Sequence, residues 1–217
     1  GVGEKTTDKL LMRFGDDIIQ LLENKDVLSL SAHKDITKAA TEVICRNWHR
    51  QQGKVQLISF MNEVLSEAPP SLRSKLITIA KRAFQYYRED TEIKLREDPY
   101  RIWSFSNFRN ADLFAKALGV RDEDKRRLIC AVEDALFRLL DEGHTRAKPE
   151  LFAGMLSKLI GDDLVVKALY AACDSETESP RLVVTEPIDS NLTEIEKVYA
   201  RHFALPSAVL MENYIKE

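Results

Sequence analysis

Glycine, proline and cysteine are scarce in this chain. Eight Gly and seven Pro in 217 residues leave few turn-forming positions, and with 44% hydrophobic and 31% charged residues the composition excludes general disorder and a collagen-like chain. The three cysteines, Cys45, Cys130 and Cys173, include no C-x-x-C pair. An odd number argues against a disulfide framework and suits a reducing compartment. No uncharged run approaches the roughly 20 residues that cross a bilayer, and the start, Gly1-Val2-Gly3-Glu4-Lys5, lacks the apolar stretch of a secretory signal. The expectation is a soluble, cytoplasmic protein. The missing initiator Met and an end inside a helix-like pattern over 207–217 suggest a piece of a longer chain.

Motifs that carry catalysis are missing as well. Gly53-Lys54 has no upstream Gly to build a phosphate loop, and G-x-G-x-x-G, G-x-S-x-G and H-E-x-x-H do not occur. The four histidines, His33, His49, His144 and His202, are scattered. Cys45 and His49, four residues apart on a helix, would share a face as half of a metal site, but the other half is absent and ordinary packing is the better reading. Asp174-Ser175-Glu176 spells the paired carboxylates with which two-metal exonucleases hold cations. Here the pair lies in an acidic, polar stretch without a rigid strand, so a solvated loop is expected. The run from Arg121 to Arg127 places its acids at a helix start, where they favour the helix dipole. No catalytic residue, metal or cofactor is expected.

Helical periodicity is what remains, and it covers most of the chain. Apolar residues recur at three- and four-residue spacing, which predicts helices over about 7–24, 31–53, 55–66, from 71 past Tyr87, and over 111–118, 122–141, 149–160, 162–173, 191–202 and 207–215. Leu10, Leu11, Phe14, Ile18 and Leu22 form the first stripe, across Gly15; Leu72, Leu76, Ile79, Ala83 and Tyr87 form the fourth. Pro99 to Asn110 reads as a packed connector or a short helix, 174–190 as a mobile loop, and 181–185 as a lone strand with nothing to pair with. The expected fold is all-α, a single domain over 1–217, built as irregular HEAT-like helical hairpins of an α-solenoid or as an irregular helix bundle.

Charge is unevenly spread. Twelve Lys or Arg face seven Asp or Glu between Arg46 and Arg109, although the whole chain carries a charge of -3. Residues 71–88 contain Arg73, Lys75, Lys81, Arg82 and Arg88 and no acid. Lys75 and Arg82 are seven apart, as are Lys81 and Arg88, so a helix turns them outward in two basic lanes. Together with Arg46, Arg50 and Lys54, they are the candidate phosphate contacts for a single-stranded RNA, and Tyr86, Trp48 or His49 could stack on unpaired bases. A charged helix face that is merely solvated is the plainer reading.

Trp48 near the end of one helix, followed by Val64-Leu-Ser-Glu-Ala-Pro-Pro-Ser-Leu72 leading into the next, resembles the amino-terminal region of the Nibbler 3'-to-5' exonucleases. About 30 residues carry this likeness. It implies a HEAT-like domain that recruits an Argonaute-type protein and assists single-stranded RNA binding beside a separate catalytic domain. Under that reading this chain is a non-catalytic accessory domain of a small-RNA-trimming enzyme. The rival reading is an α-helical protein-interaction scaffold with no nucleic-acid role.

Overall fold

The computed structural model describes residues 4–32, 37–173, 182–185 and 202–216. The described residues are helical apart from one short ladder, and they divide into two compact units, Gly1–Glu97 and Asp98–Glu217. Irregular helix packing describes each of them. Helices of 5 and 27 residues stand side by side in the first unit, which is not a stack of HEAT-like hairpins. No helix among the described residues is long and apolar enough to cross a membrane.

The first unit opens with α1 (Glu4–Phe14), α2 (Asp17–Glu23) and α3 (Val27–Ser31). The single helix expected over 7–24 is broken, because Gly15 takes a left-handed φ of 51° and donates its N–H to the Leu11 carbonyl at 2.9 Å. The apolar stripe survives the break: Leu10, Ile18 and Leu22 are buried together with Leu30 and Cys45. Asp26 caps the unforeseen α3 by accepting from the Ser29 N–H. Thr37 caps α4 (Lys38–Val64) in the same way through Ala40, while residues 33–36 of the expected helix start lie outside the described residues.

The stop expected at Gly53 does not occur, since α4 runs straight through it. A Cβ at that position would meet Phe84 Cε2 at 3.3 Å and the Glu89 Cα at 3.4 Å, so the glycine serves close approach rather than termination. Its poor helix propensity, about 1 kcal/mol against Ala, is the cost of that approach. Pro69 and Pro70 then separate α4 from α5 (Pro70–Tyr87), with Pro70 at the first helical position, where no N–H is needed. Leu76, Ile79, Ala80, Ala83 and Phe84 are buried on the inner face of α5. Each fully buried Leu or Phe contributes about 2 kcal/mol by leaving water. A 3₁₀ turn, Arg88–Asp90, leads into α6 (Thr91–Glu97).

In the second unit a 3₁₀ helix, Pro99–Phe105, occupies the expected connector and precedes α7 (Phe108–Ala117) and α8 (Lys125–Asp141). Asp124 accepts from the Arg126 N–H, which sets the start of α8 three residues later than the charge pattern suggested. Packed against α8 are α9 (Pro149–Ile160) and α10 (Asp162–Cys173), over buried Val132, Leu139, Phe152 and Leu156. The presumed lone strand does find a partner: β1 (Val183–Thr185) pairs antiparallel with β2 (His202–Ala204), with Val183 opposite Ala204. Ala147 extends the ladder by exchanging backbone hydrogen bonds with Phe203, both 2.8 Å. α11 (Pro206–Lys216) follows. His202 is thus in a strand rather than a helix. The rest of the helix expected over 191–202 and most of the 174–190 loop, with Asp174 and Glu176, lie outside the described residues.

Candidate nucleic-acid interface

Two helices of the first unit, α4 and α5, bring basic residues together across a groove of about 440 Å³. Arg50 and Lys54, one turn apart on α4, form one wall with Lys81 and Gln85 of α5 opposite. The apolar floor is Leu57, Ile58 and Phe84. Among the described residues no acid lines this groove. The floor is set by the same Gly53 that admits Phe84 against α4, so the local backbone that breaks a sequence rule also shapes the groove.

The other expected contact residues are distributed as follows. Arg46 precedes Arg50 by one turn on α4 and is exposed. Lys75 and Arg82 are exposed on α5, in a lane beside the one that carries Lys81. Arg88 ends α5 with a left-handed φ of 56°, a conformation that side-chain-bearing residues rarely adopt. Arg73 is occupied elsewhere: its Nε donates to the Leu65 carbonyl at 3.0 Å and its Nη2 to those of Ser66, at 2.6 Å, and Ala68, at 3.3 Å. The guanidinium therefore holds the turn that leads out of α4, from the C-cap Leu65 to Ala68, against the first turns of α5.

Gln85 and the apolar floor were not anticipated. The spacing of Lys81 and Gln85, one helical turn, was legible; that Leu57 and Ile58 of a different helix would lie beneath them was not, because it depends on the crossing of α4 and α5. Cys45 is buried in the core of the first unit. Among the described residues no three His, Cys, Asp or Glu side chains gather as metal ligands.

A second concentration of charge surrounds the turn between α7 and α8, and here the charges are matched. Arg127 is buried, donating from Nε and Nη2 to the Asp112 carboxylate at 2.7 and 3.3 Å and from Nη1 to the Asp122 carbonyl at 3.0 Å. Tyr100 donates its hydroxyl to the same carboxylate at 2.8 Å. Burial opposes ionisation of Asp112, but the hydrogen bonds from Arg127 and Tyr100 outweigh it and hold its pKa below the ordinary value of 3.8. Burial, then Asp112, pushes the Tyr100 hydroxyl far up. Lys116 pairs with Asp112 and Asp122, Arg126 with Asp124, and Lys167 with Glu123. This network has its cations committed to carboxylates, whereas Arg50, Lys54 and Lys81 of the α4–α5 groove have none among the described residues.

A family model describing the HHH domain of the ATP-dependent RecD2 DNA helicase matches residues 76–146, about a third of the chain. No curated protein matches the chain. The match overturns the resemblance to the Nibbler exonucleases, and nothing supports the Argonaute partner or small-RNA trimming that came with it. The segment that carried the resemblance, Val64 to Leu72, is a helix end followed by a proline helix start, and any two helices joined by a short turn can use that chemistry. The matched stretch contains Lys81, Arg82, Gln85 and Tyr86 of α5 and, of the charge network, Tyr100, Asp112, Lys116 and Asp122 to Arg127, but not Lys167. The chain is thus similar, over this stretch, to a helical domain of a DNA helicase.

Proposed function

We propose that this chain is a non-catalytic helical module that holds DNA by its phosphates, as an accessory to an enzyme acting on nucleic acid. The observation that carries the reading is the α4–α5 groove, where Arg50, Lys54 and Lys81 converge from two helices without an acidic neighbour in the lining. Arg46, Lys75 and Arg82 extend the positive surface on either side. Arg73 is left out of the contact set because its guanidinium is engaged with three carbonyls. DNA rather than RNA is the first choice because the matching family model is that of a DNA helicase domain.

The test is fluorescence anisotropy of the full chain with a labelled 20-nucleotide DNA at several salt concentrations, alongside an RNA of the same sequence. Three phosphate contacts give a log–log salt slope of about -2 on a single strand and about -3 on a duplex. The triple variant R50E/K54E/K81E should lose affinity at least about tenfold while its circular dichroism is unchanged. Failure of the parent to bind, or equal binding by the triple variant, refutes the reading. A protein-interaction scaffold then takes its place, favoured by a second, apolar groove of about 620 Å³ that includes Leu11, Ile19, Ile44 and Trp48.

A further inference from the structure

The groove accounts for phosphate contact, which every nucleic acid offers equally. It leaves one feature of α5 unused. Tyr86 is 73% exposed, and among the described residues of the first unit it is the aromatic side chain that faces solvent; Phe60 and Phe84 are buried, and Phe14, Trp48 and Tyr87 are half-buried. Isolated exposed apolar side chains are ordinary on protein surfaces. What sets Tyr86 apart is its lane. Lys75, Arg82 and Tyr86 are spaced seven and four residues apart on α5, so helical geometry places all three on one exposed stripe, with no acid anywhere in the helix.

We infer that this stripe selects single-stranded DNA, with Tyr86 stacking on an unpaired base while Arg82 and Lys75 hold the phosphates before it; the inference rests on the phosphate-binding reading given above. Arg82 and Tyr86 are one turn apart, about 6 Å along the helix, which is of the order of the separation between a nucleotide's phosphate and its base. The ring also rests against Tyr87 in a T-shaped pair, with centroids 4.9 Å apart and planes at 90°, a contact that narrows its rotamers before any base arrives. A duplex buries its base faces in the stack and presents only its phosphates and groove edges, so a ring on an outward helix face adds nothing to duplex binding. A single strand offers a base face at every nucleotide.

The experiment compares the parent, Tyr86→Ala and Tyr86→Phe for binding to a labelled 20-nucleotide oligothymidine and to a blunt 20-base-pair duplex, by anisotropy at one fixed salt concentration. The expected result is that the parent prefers the single strand, that Y86A weakens single-strand binding about tenfold with duplex binding unchanged, and that Y86F binds like the parent because the ring is retained. The exposed position makes Y86A fold like the parent, which circular dichroism checks. If the parent binds DNA but Y86A binds the single strand equally well, or if the duplex is preferred, the stacking inference is overturned and the phosphate reading stands. If the parent binds neither DNA, both are overturned together.

Discussion

Arg73 is the residue at which a structural and a nucleic-acid role are most cleanly separated. Replacing it by Ala removes three hydrogen bonds to the turn that follows α4, those to Leu65, Ser66 and Ala68. A hydrogen bond from a charged donor is worth about 1.5–3 kcal/mol when well shielded, but the bond to Ser66 is solvent-exposed and the bond to Ala68 is long. Discounting for both leaves about 1 kcal/mol for Leu65, somewhat less for Ser66 and a few tenths for Ala68, or about 2 kcal/mol in all. For a unit of this size that is a fall of roughly 10 °C in Tm. Arg73→Lys, which offers a point charge without the planar fork, should recover less than half. The assay is thermal unfolding by circular dichroism, with hydrogen exchange of peptides spanning 60–76 to localise the loss, and DNA anisotropy run well below the lowered midpoint. The result that refutes the reasoning is an unchanged midpoint with weakened DNA binding, which would make Arg73 a phosphate ligand instead.

Two further outcomes concern the second unit. The pKa of Asp112 is lowered on folding, so the stability its ionised form contributes is present above the unfolded value near 3.8 and is lost as pH falls through the folded one; urea midpoints of the parent and Asp112→Asn should therefore differ at pH 7 and converge between about pH 4 and pH 2. Asp134 is buried and accepts from the Trp103 indole at 2.7 Å, the Phe108 N–H at 3.2 Å and Arg138 Nε at 2.6 Å. Asp134→Ala strands two of these donors and should cost about 3 kcal/mol, whereas Asp134→Asn keeps an acceptor and should cost about 1 kcal/mol, both read from urea unfolding.

Much of the helical layout was legible because it depends on local spacing. α9 and α10 lie where the periodicity put them, and Pro70 starts α5 as an N1 proline does. Glycine was read least well, since its effect is decided by what surrounds it. Gly15, expected to be tolerated, breaks a helix, and Gly53, expected to stop one, is carried through because the crossing with Phe84 and Glu89 requires the missing Cβ. The pairing of β1 with β2 joins residues about 20 apart in sequence and leaves no local signature. In the site, the basic character of α5 was visible, but charge alone did not reveal that Arg73 holds the turn after α4 or that Arg50 and Lys54 oppose Lys81. Both facts come from how the chain turns back after Pro69 and Pro70. The short segment that resembled another family was a helix connection, a feature too widely shared to carry a function.

The chain holds two tryptophans, and each compact unit contains one: Trp48 in the first, Trp103 in the second. Their surroundings are opposite in kind. The indole N–H of Trp103 is tied to the Asp134 carboxylate, while that of Trp48 is shut away from solvent with no hydrogen-bond partner among the described residues, beside an apolar groove. An indole without a polar partner emits toward the blue, and one bonded to a carboxylate emits further to the red. The molecule therefore carries its own two-colour optical record, in which melting of either unit shifts a separate band of the intrinsic fluorescence and the order in which the units unfold is read without any added label.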